Sequence, residues 1–324
     1  AQKGRTWAGP LGRLADRVVY HRGFVECVHV LTQTLIDHPA EIFHLHPIRM
    51  VRLQFVASSQ VTDLANQESL RRLKVLAAPG NYRHAGSRIL FPSPNLQDLE
   101  GLAIPDTPIG ERGLAELLSD ASMRKLTHLN LGATGIGQAG INRLAGSSLM
   151  NNLVALDIRG NNLNEDALQA LNDFSEARSL RRLGFWFNQL GDNGLIRFTE
   201  MGLFSRLRHL SIGNNQITSR GLHHLAQVPA LRNLQTIWLG VDPYGSEGVE
   251  ALVRSPHLSP DVHLGIWLNE DIPEQTRNLA REILGNRVLF EEPGEHWDRD
   301  PVVGWPAWHA EDEYRENITG PGRT

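Results

Sequence analysis

His38, His44 and His46 form the densest group of ligand-type side chains in the 324-residue sequence, in DHPAEIFHLHP. Imidazoles this close can meet on a metal ion. His44 and His46 alternate, however, and on a strand they would share one face with no fourth ligand in view, so a capping-segment surface is the expectation. Cys27 and His29 have the residue types of a nucleophile and its base. A buried Cys acting as a small hydrophobe is the commoner use, and that is expected here. Asn317-Ile318-Thr319 has the form of a glycosylation acceptor, which matters only in a secreted chain. The sequence carries no H-E-x-x-H, no G-x-x-x-x-G-K-S/T, no G-x-S-x-G and no Gly-rich phosphate loop after a strand. The residues therefore predict no catalytic centre, no cofactor and no resident metal. The reading that remains for chemistry is a metal-dependent hydrolase built on the His38/His44/His46 cluster.

Composition narrows the class further. Hydrophobic residues are 41% and charged residues 21%, ordinary soluble values that exclude wholesale disorder. No apolar run reaches the ~18 residues a membrane helix needs. The first residues, AQKGRTWAGPLGRL, have no apolar core like that of a secretory signal. They also start without Met, as a processed chain or part of a longer one would. Cys27 is the single cysteine, so no internal disulfide is possible and the cytoplasm is the expected compartment. Arg outnumbers Lys by 29 to 3, which reads as a GC-rich, bacterial-type genome. Residues 291–324 hold nine acids against three bases, and with a total charge of −4 the remainder stands at +2. A body so close to neutral argues against nucleic acid as the partner.

The positioning elements come from a repeat. L-x-x-L-x-L recurs as Leu99/Leu102/Ile104, Leu126/Leu129/Leu131, Leu153/Leu156/Ile158, Leu180/Leu183/Phe185, Leu207/Leu210/Ile212 and Leu234/Ile237/Leu239, always 27 residues apart. Three residues on, the column reads Thr107, Thr134, Asn161, Asn188, Asn215, Asp242, and nine on it reads Gly or Ala. Weaker copies are read at Ile48/Val51/Leu53, at Leu70/Leu73/Val75 and at Leu264/Ile266, for about nine short strands. Apolar pairs three apart after each Gly, such as Leu222/Leu225, mark one helical face.

This pattern is identified as a leucine-rich repeat and resembles the ribonuclease-inhibitor-like subclass. The resemblance implies an α/β leucine-rich-repeat solenoid in a curved horseshoe arc. The parallel β-sheet would lie on the concave face and the helices on the convex face. Arg22-Gly23-Phe24-Val25-Glu26 and His46-Pro47-Ile48-Arg49 further resemble the entry segment of bacterial repeat-companion-domain leucine-rich-repeat proteins, which implies an interaction role. The organisation expected is an N-terminal capping segment over 1–47 and repeats over 48–270, regular from 99 to 260. A C-terminal capping helix over 271–290 and an acidic, Trp-containing tail over 291–324 would follow.

Alternation in L-x-L frees every second side chain from the core for the concave face. On that face the register places Arg72/Lys74/Leu76 early and, in the later strands, Arg159, Arg182, Trp186, His209, Trp238, His263 and Trp267. Phe187 lies one residue past Trp186, and Gly132, Gly184, Gly213 and Gly240 would leave floor between the rings. Trp and Arg dominate binding hot spots because a large ring or planar guanidinium gains much on desolvation. These seven residues are therefore the expected binding site for a protein or peptide, on an exposed aromatic stripe. Packing of the rings on one another or on the tail is the competing reading. Trp297, Trp305 and Trp308 in the tail are expected to cap the last repeat, with a short partner motif or a tail lying across the Arg/Trp face as alternatives. The functional expectation is a non-enzymatic recognition module, neither nucleic-acid nor membrane bound, or else the sensor or scaffold portion of a larger protein.

Overall fold

The structure, a computed structural model, describes residues 11–21, 24–44, 46–119, 125–173, 179–267 and 272–291. It divides into two compact units, one up to Leu153 and one from Val154 onward. The tail over 292–324, with its three Trp, lies outside the described residues.

The first unit carries β1 (Arg17–His21), β2 (Phe24–Val30), β3 (Met50–Leu53), β4 (Val75–Ala77), β5 (Gly101–Ala103) and β6 (His128–Asn130). β1 runs antiparallel to β2, and each later strand pairs parallel with its predecessor. The second unit carries β7 (Ala155–Asp157), β8 (Arg182–Gly184), β9 (His209–Ser211), β10 (Thr236–Leu239), β11 (His263–Trp267) and β12 (Val288–Glu291). All of its neighbouring strands pair parallel, in chain order. Between consecutive strands the chain returns through helices such as Gly191–Glu200, Ser219–Ala226 and Gly245–Val253. The described strands number twelve rather than about nine. β2 and β12 escaped the sequence pattern because Val25/Val28/Val30 and Val288/Phe290 fill the apolar slots without leucine, and β1 is an antiparallel strand outside the repeat.

Strand register explains the 27-residue beat. Leu156 faces Leu183, Leu183 faces Leu210, and Leu210 faces Ile237, so one period is one lateral step across the sheet. The three apolar slots and the helical pairs, Leu222 and Leu225 among them, are all buried. Each such Leu contributes roughly 1.5–3 kcal/mol through burial.

One register is corrected. Leu76 faces both Val51 and Leu102, so the core triplet of that turn is Leu73/Leu76/Ala78, not Leu70/Leu73/Val75. Leu70, Leu73 and Leu76 stand three apart, and the sequence cannot tell which pair belongs to the strand. Leu70 is spent in the short helix Glu68–Arg72, and Leu76 is core rather than face. At the C-terminal end the capping helix spans Glu274–Leu284, and residues expected to continue it form β12 instead. β11 is therefore not the last strand, and its edge is paired.

The polar column works as a ladder between turns. Asn188 Oδ1 accepts from the backbone N–H groups of Asn161 and Leu163, while its Nδ2 donates to the carbonyls of Ile158, Phe185 and Trp186. Asn215 repeats this, accepting from Leu190 N–H and donating to the carbonyls of Phe185, Ile212 and Gly213. Both are buried, and satisfying carbonyls that water cannot reach avoids about 1–3 kcal/mol per orphaned group.

Asp242 breaks the column. Its Oδ1 accepts from Asn215, Gln216 and Ile217 N–H, but a carboxylate has no amide hydrogen for the carbonyls of the turn. Tyr244 compensates at one of them, its hydroxyl donating to Gly240 O at 2.5 Å. Burial pushes the Asp242 carboxyl above the usual carboxylate range, against the backbone N–H groups that pull it down. The folded state thus prefers the protonated acid, and stability is lost as pH rises from the ordinary carboxylate range through the raised value. Asp242→Asn restores the donor and removes the charge, with an expected gain of about 1 kcal/mol above neutral pH and less at pH 4. Thermal melts of both proteins at pH 4 and pH 8 check this, and a loss of stability at pH 8 would contradict it.

Candidate functional site: the strand face of the second unit

Because core slots alternate with outward positions, β7 to β12 present a second set of side chains on the side away from the core. Arg159 follows β7, Arg182 opens β8, Trp186 follows it, His209 opens β9, Trp238 sits in β10, and His263 and Trp267 begin and end β11. The expected alternation is therefore present. The expected exposure of the rings is not.

Trp186, Trp238 and Trp267 form one cluster at 1%, 2% and 5% exposure, with Leu289 of β12 packed against it. Trp186 and Trp267 meet nearly edge to face, ring centroids 4.3 Å apart at 69°. The strand pitch of ~4.8 Å lets indoles two or three strands apart reach each other. Trp238 lies against Gly265, where an added Cβ would fall 2.3–2.5 Å from its ring carbons. Leu289 was missed because its strand was missed. Gly265 lies in β11 beside Trp238, and the neighbouring ring shows why it is Gly. Gly213 and Gly240 do not supply floor between rings; they let two backbones approach, a Cβ on Gly213 falling 2.2 Å from Gly240 N.

The polar members are positioned separately from the rings. Arg159 Nη1 lies 2.8 Å from Oδ2 of buried Asp157, whose Oδ1 accepts from the Arg159 backbone N–H at 3.0 Å. The guanidinium is thereby oriented by Asp157. His209 Nδ1 lies 3.1 Å from Thr236 Oγ1. Burial, then the positive field of Arg182 and Arg208 and the neighbouring His263, drives the His209 imidazole down to about 3. Burial and Arg287 likewise lower His263. Both rings are neutral at pH 7, so the positive charge of this face comes from arginine.

Phe187 differs from the other aromatics. It is 43% exposed, its ring centroid is 5.9 Å from that of Trp186, and its backbone stands at φ +50°. In the same column the left-handed position holds Asp106, Ala133, Gly160 and Asn214, so the conformation recurs with the repeat and only Phe187 puts a large ring there. A β-turn conformation of this kind in Phe costs about 1 kcal/mol or more.

The remaining sequence candidates do not assemble into a centre. His38 Nδ1 lies 3.0 Å from Glu41 Oε1 on the surface, and His46 Nδ1 accepts from Val25 N–H at 3.5 Å. Among the described residues no three His, Cys, Asp or Glu side chains come together as a metal site. Cys27 is buried, and burial with Arg52 and Arg17 lowers His29 to about 4. Among the described residues no helix is long and apolar enough to cross a membrane.

Known proteins resemble this chain through the repeat. A family model described as "Leucine Rich repeat" matches residues 206–226, the part of one turn from before β9 to the end of its helix. Among curated proteins none matches. Solved structures include Rad7 in its complex with Elc1 from yeast, at 15% identity and TM-score 0.41, covering 76% of this chain and 84% of that one. A Bacteroides fragilis protein is 15% identical with TM-score 0.43, covering 66% and 70% respectively. An internalin from Listeria monocytogenes is 16% identical with TM-score 0.35, covering 82% and 86%. Likeness at this level carries no functional inference. The 27-residue beat, its one-strand lateral step, the polar ladder and the matched motif together make this chain a leucine-rich-repeat protein.

Proposed function

We propose that the chain is a non-enzymatic recognition module that binds a protein or peptide on the strand face of the second unit. Arg159, Arg182, His209, His263 and the cluster of Trp186, Trp238 and Trp267 frame that face. The observation that carries the reading is Phe187, a large ring 43% exposed at a left-handed turn position that the other repeats fill with Asp106, Ala133, Gly160 and Asn214. The left-handed backbone belongs to the repeat's turn, whereas the exposed aromatic side chain is peculiar to this copy and is the kind of group a partner desolvates with gain. Buried Trp186 backs the ring and keeps it in place. The arginines would supply planar, always-charged donors to carboxylate or carbonyl groups of the partner. On charge we place nucleic acid and membrane outside its partners, and on its cysteine content we place it in the cytoplasm.

The test compares the intact chain with Phe187→Asn as bait in a native lysate of the source organism. Asn suits the left-handed position, so the variant should melt at the same temperature or higher. Recovery of the wild-type partner is expected to fall about tenfold, the ~1.4 kcal/mol or more that a central aromatic contributes. Equal recovery by a folded Phe187→Asn protein would refute this face as the binding surface.

A further inference from the structure

The strand face of the second unit carries three indoles that are almost wholly buried. Its three indoles project from the side of β8, β10 and β11 opposite the apolar core slots, yet they are 1–5% exposed. The Trp238 indole nitrogen is buried as well, with no hydrogen-bond partner among the described residues, a cost relieved by an acceptor arriving from outside the strands.

The chain supplies an occupant at the right place. β12 ends at Glu291, which stands opposite Trp267 in the register, so the last described residue lies beside the cluster. The 33 residues that follow contain eight acids against three bases and carry Trp297, Trp305 and Trp308. Extended, they could reach ~100 Å, whereas crossing back from β11 to β7 requires only ~20 Å. The face they would meet bears Arg159, paired with Asp157, and Arg182, and its histidines are neutral. Charge and aromatic content are both complementary.

We infer that residues 292–324 dock in cis on the strand face of the second unit, laying acidic and indole side chains over the Trp186/Trp238/Trp267 cluster and the flanking arginines. The tail then acts as a built-in competitor. A partner must displace it, and the partner's own binding segment shares its chemistry, acidic with aromatic anchors. This inference rests on the binding face proposed above for its regulatory meaning, but the docking itself is tested without any partner.

Trp305 in the intact chain is replaced by p-benzoylphenylalanine, irradiated at low micromolar concentration and mapped by peptide mass spectrometry. Cross-links within one molecule to peptides containing Trp238, Trp267 or Arg182 are expected. The charge-reversed chain, Glu311→Lys/Asp312→Lys/Glu313→Lys, should give about fivefold less of the same cross-link at 0.15 M salt, because like charges would then face each other. Cross-links to the helices, to the first unit, or between two copies would overturn the inference, as would a yield indifferent to charge reversal. Face cross-links combined with failure of any protein to bind even the charge-reversed chain would leave the docking standing and sink the proposed function instead.

Discussion

Trp238→Ala is expected to destabilise the protein by about 3–5 kcal/mol, the largest effect of any single truncation on the strand face. The side chain is 2% exposed, packs with Trp186 and Trp267, and rests against Gly265. Removing it deletes the middle of the cluster, and no neighbour can close the gap. Gly265 has no side chain to move in, and the partners are anchored on separate strands. Urea denaturation followed by far-UV circular dichroism measures the effect. A loss below about 1 kcal/mol would mean that the ring is a surface group after all. Because the rings touch, Trp186→Ala and Trp238→Ala should be markedly non-additive in the double variant. Truncating these residues tests folding, which is why binding is better probed at exposed Phe187.

The second large effect is expected from a single methyl group. Gly213→Ala would place a Cβ 2.2 Å from Gly240 N and 2.4 Å from Gly240 Cα, so the obstacle is backbone and cannot rotate away. Both turns would have to separate just where Asp242 ties them, its Oδ1 accepting from the backbone N–H groups of Asn215, Gln216 and Ile217. A loss of at least about 2–3 kcal/mol is expected, at the upper end for overpacking. Gly265→Ala provides the contrast. Its Cβ also falls within 2.5 Å of a neighbour, but that neighbour is the Trp238 ring, which can tilt. The ranking of the two variants in melting temperature decides between backbone and side-chain crowding, and a Gly213→Ala protein as stable as wild type would show that the turns are not held together there.

Most of the architecture was legible because a repeat states its own register many times. Six copies of L-x-x-L-x-L at one spacing specify strand, core side and lateral step together, and the Asn column announced a turn that the ladder of Asn188 and Asn215 then provides. Legibility ended where copies lose leucine or offer too many. Val25/Val28/Val30 and Val288/Phe290 pair as strands only because neighbours give them edges, and Leu70, Leu73 and Leu76 were resolved only by which residue faced Leu102. For the face, alternation told which side chains leave the core, and it placed Arg159, Arg182, Trp186, His209, Trp238, His263 and Trp267 correctly along the strands. It could not tell that three of them would be buried again. Outward from one strand is a local property, set by backbone pleat and readable from spacing. Exposure depends on what stands on strands 27 and 54 residues away and on what lies over them, and only the tertiary structure brings those residues together.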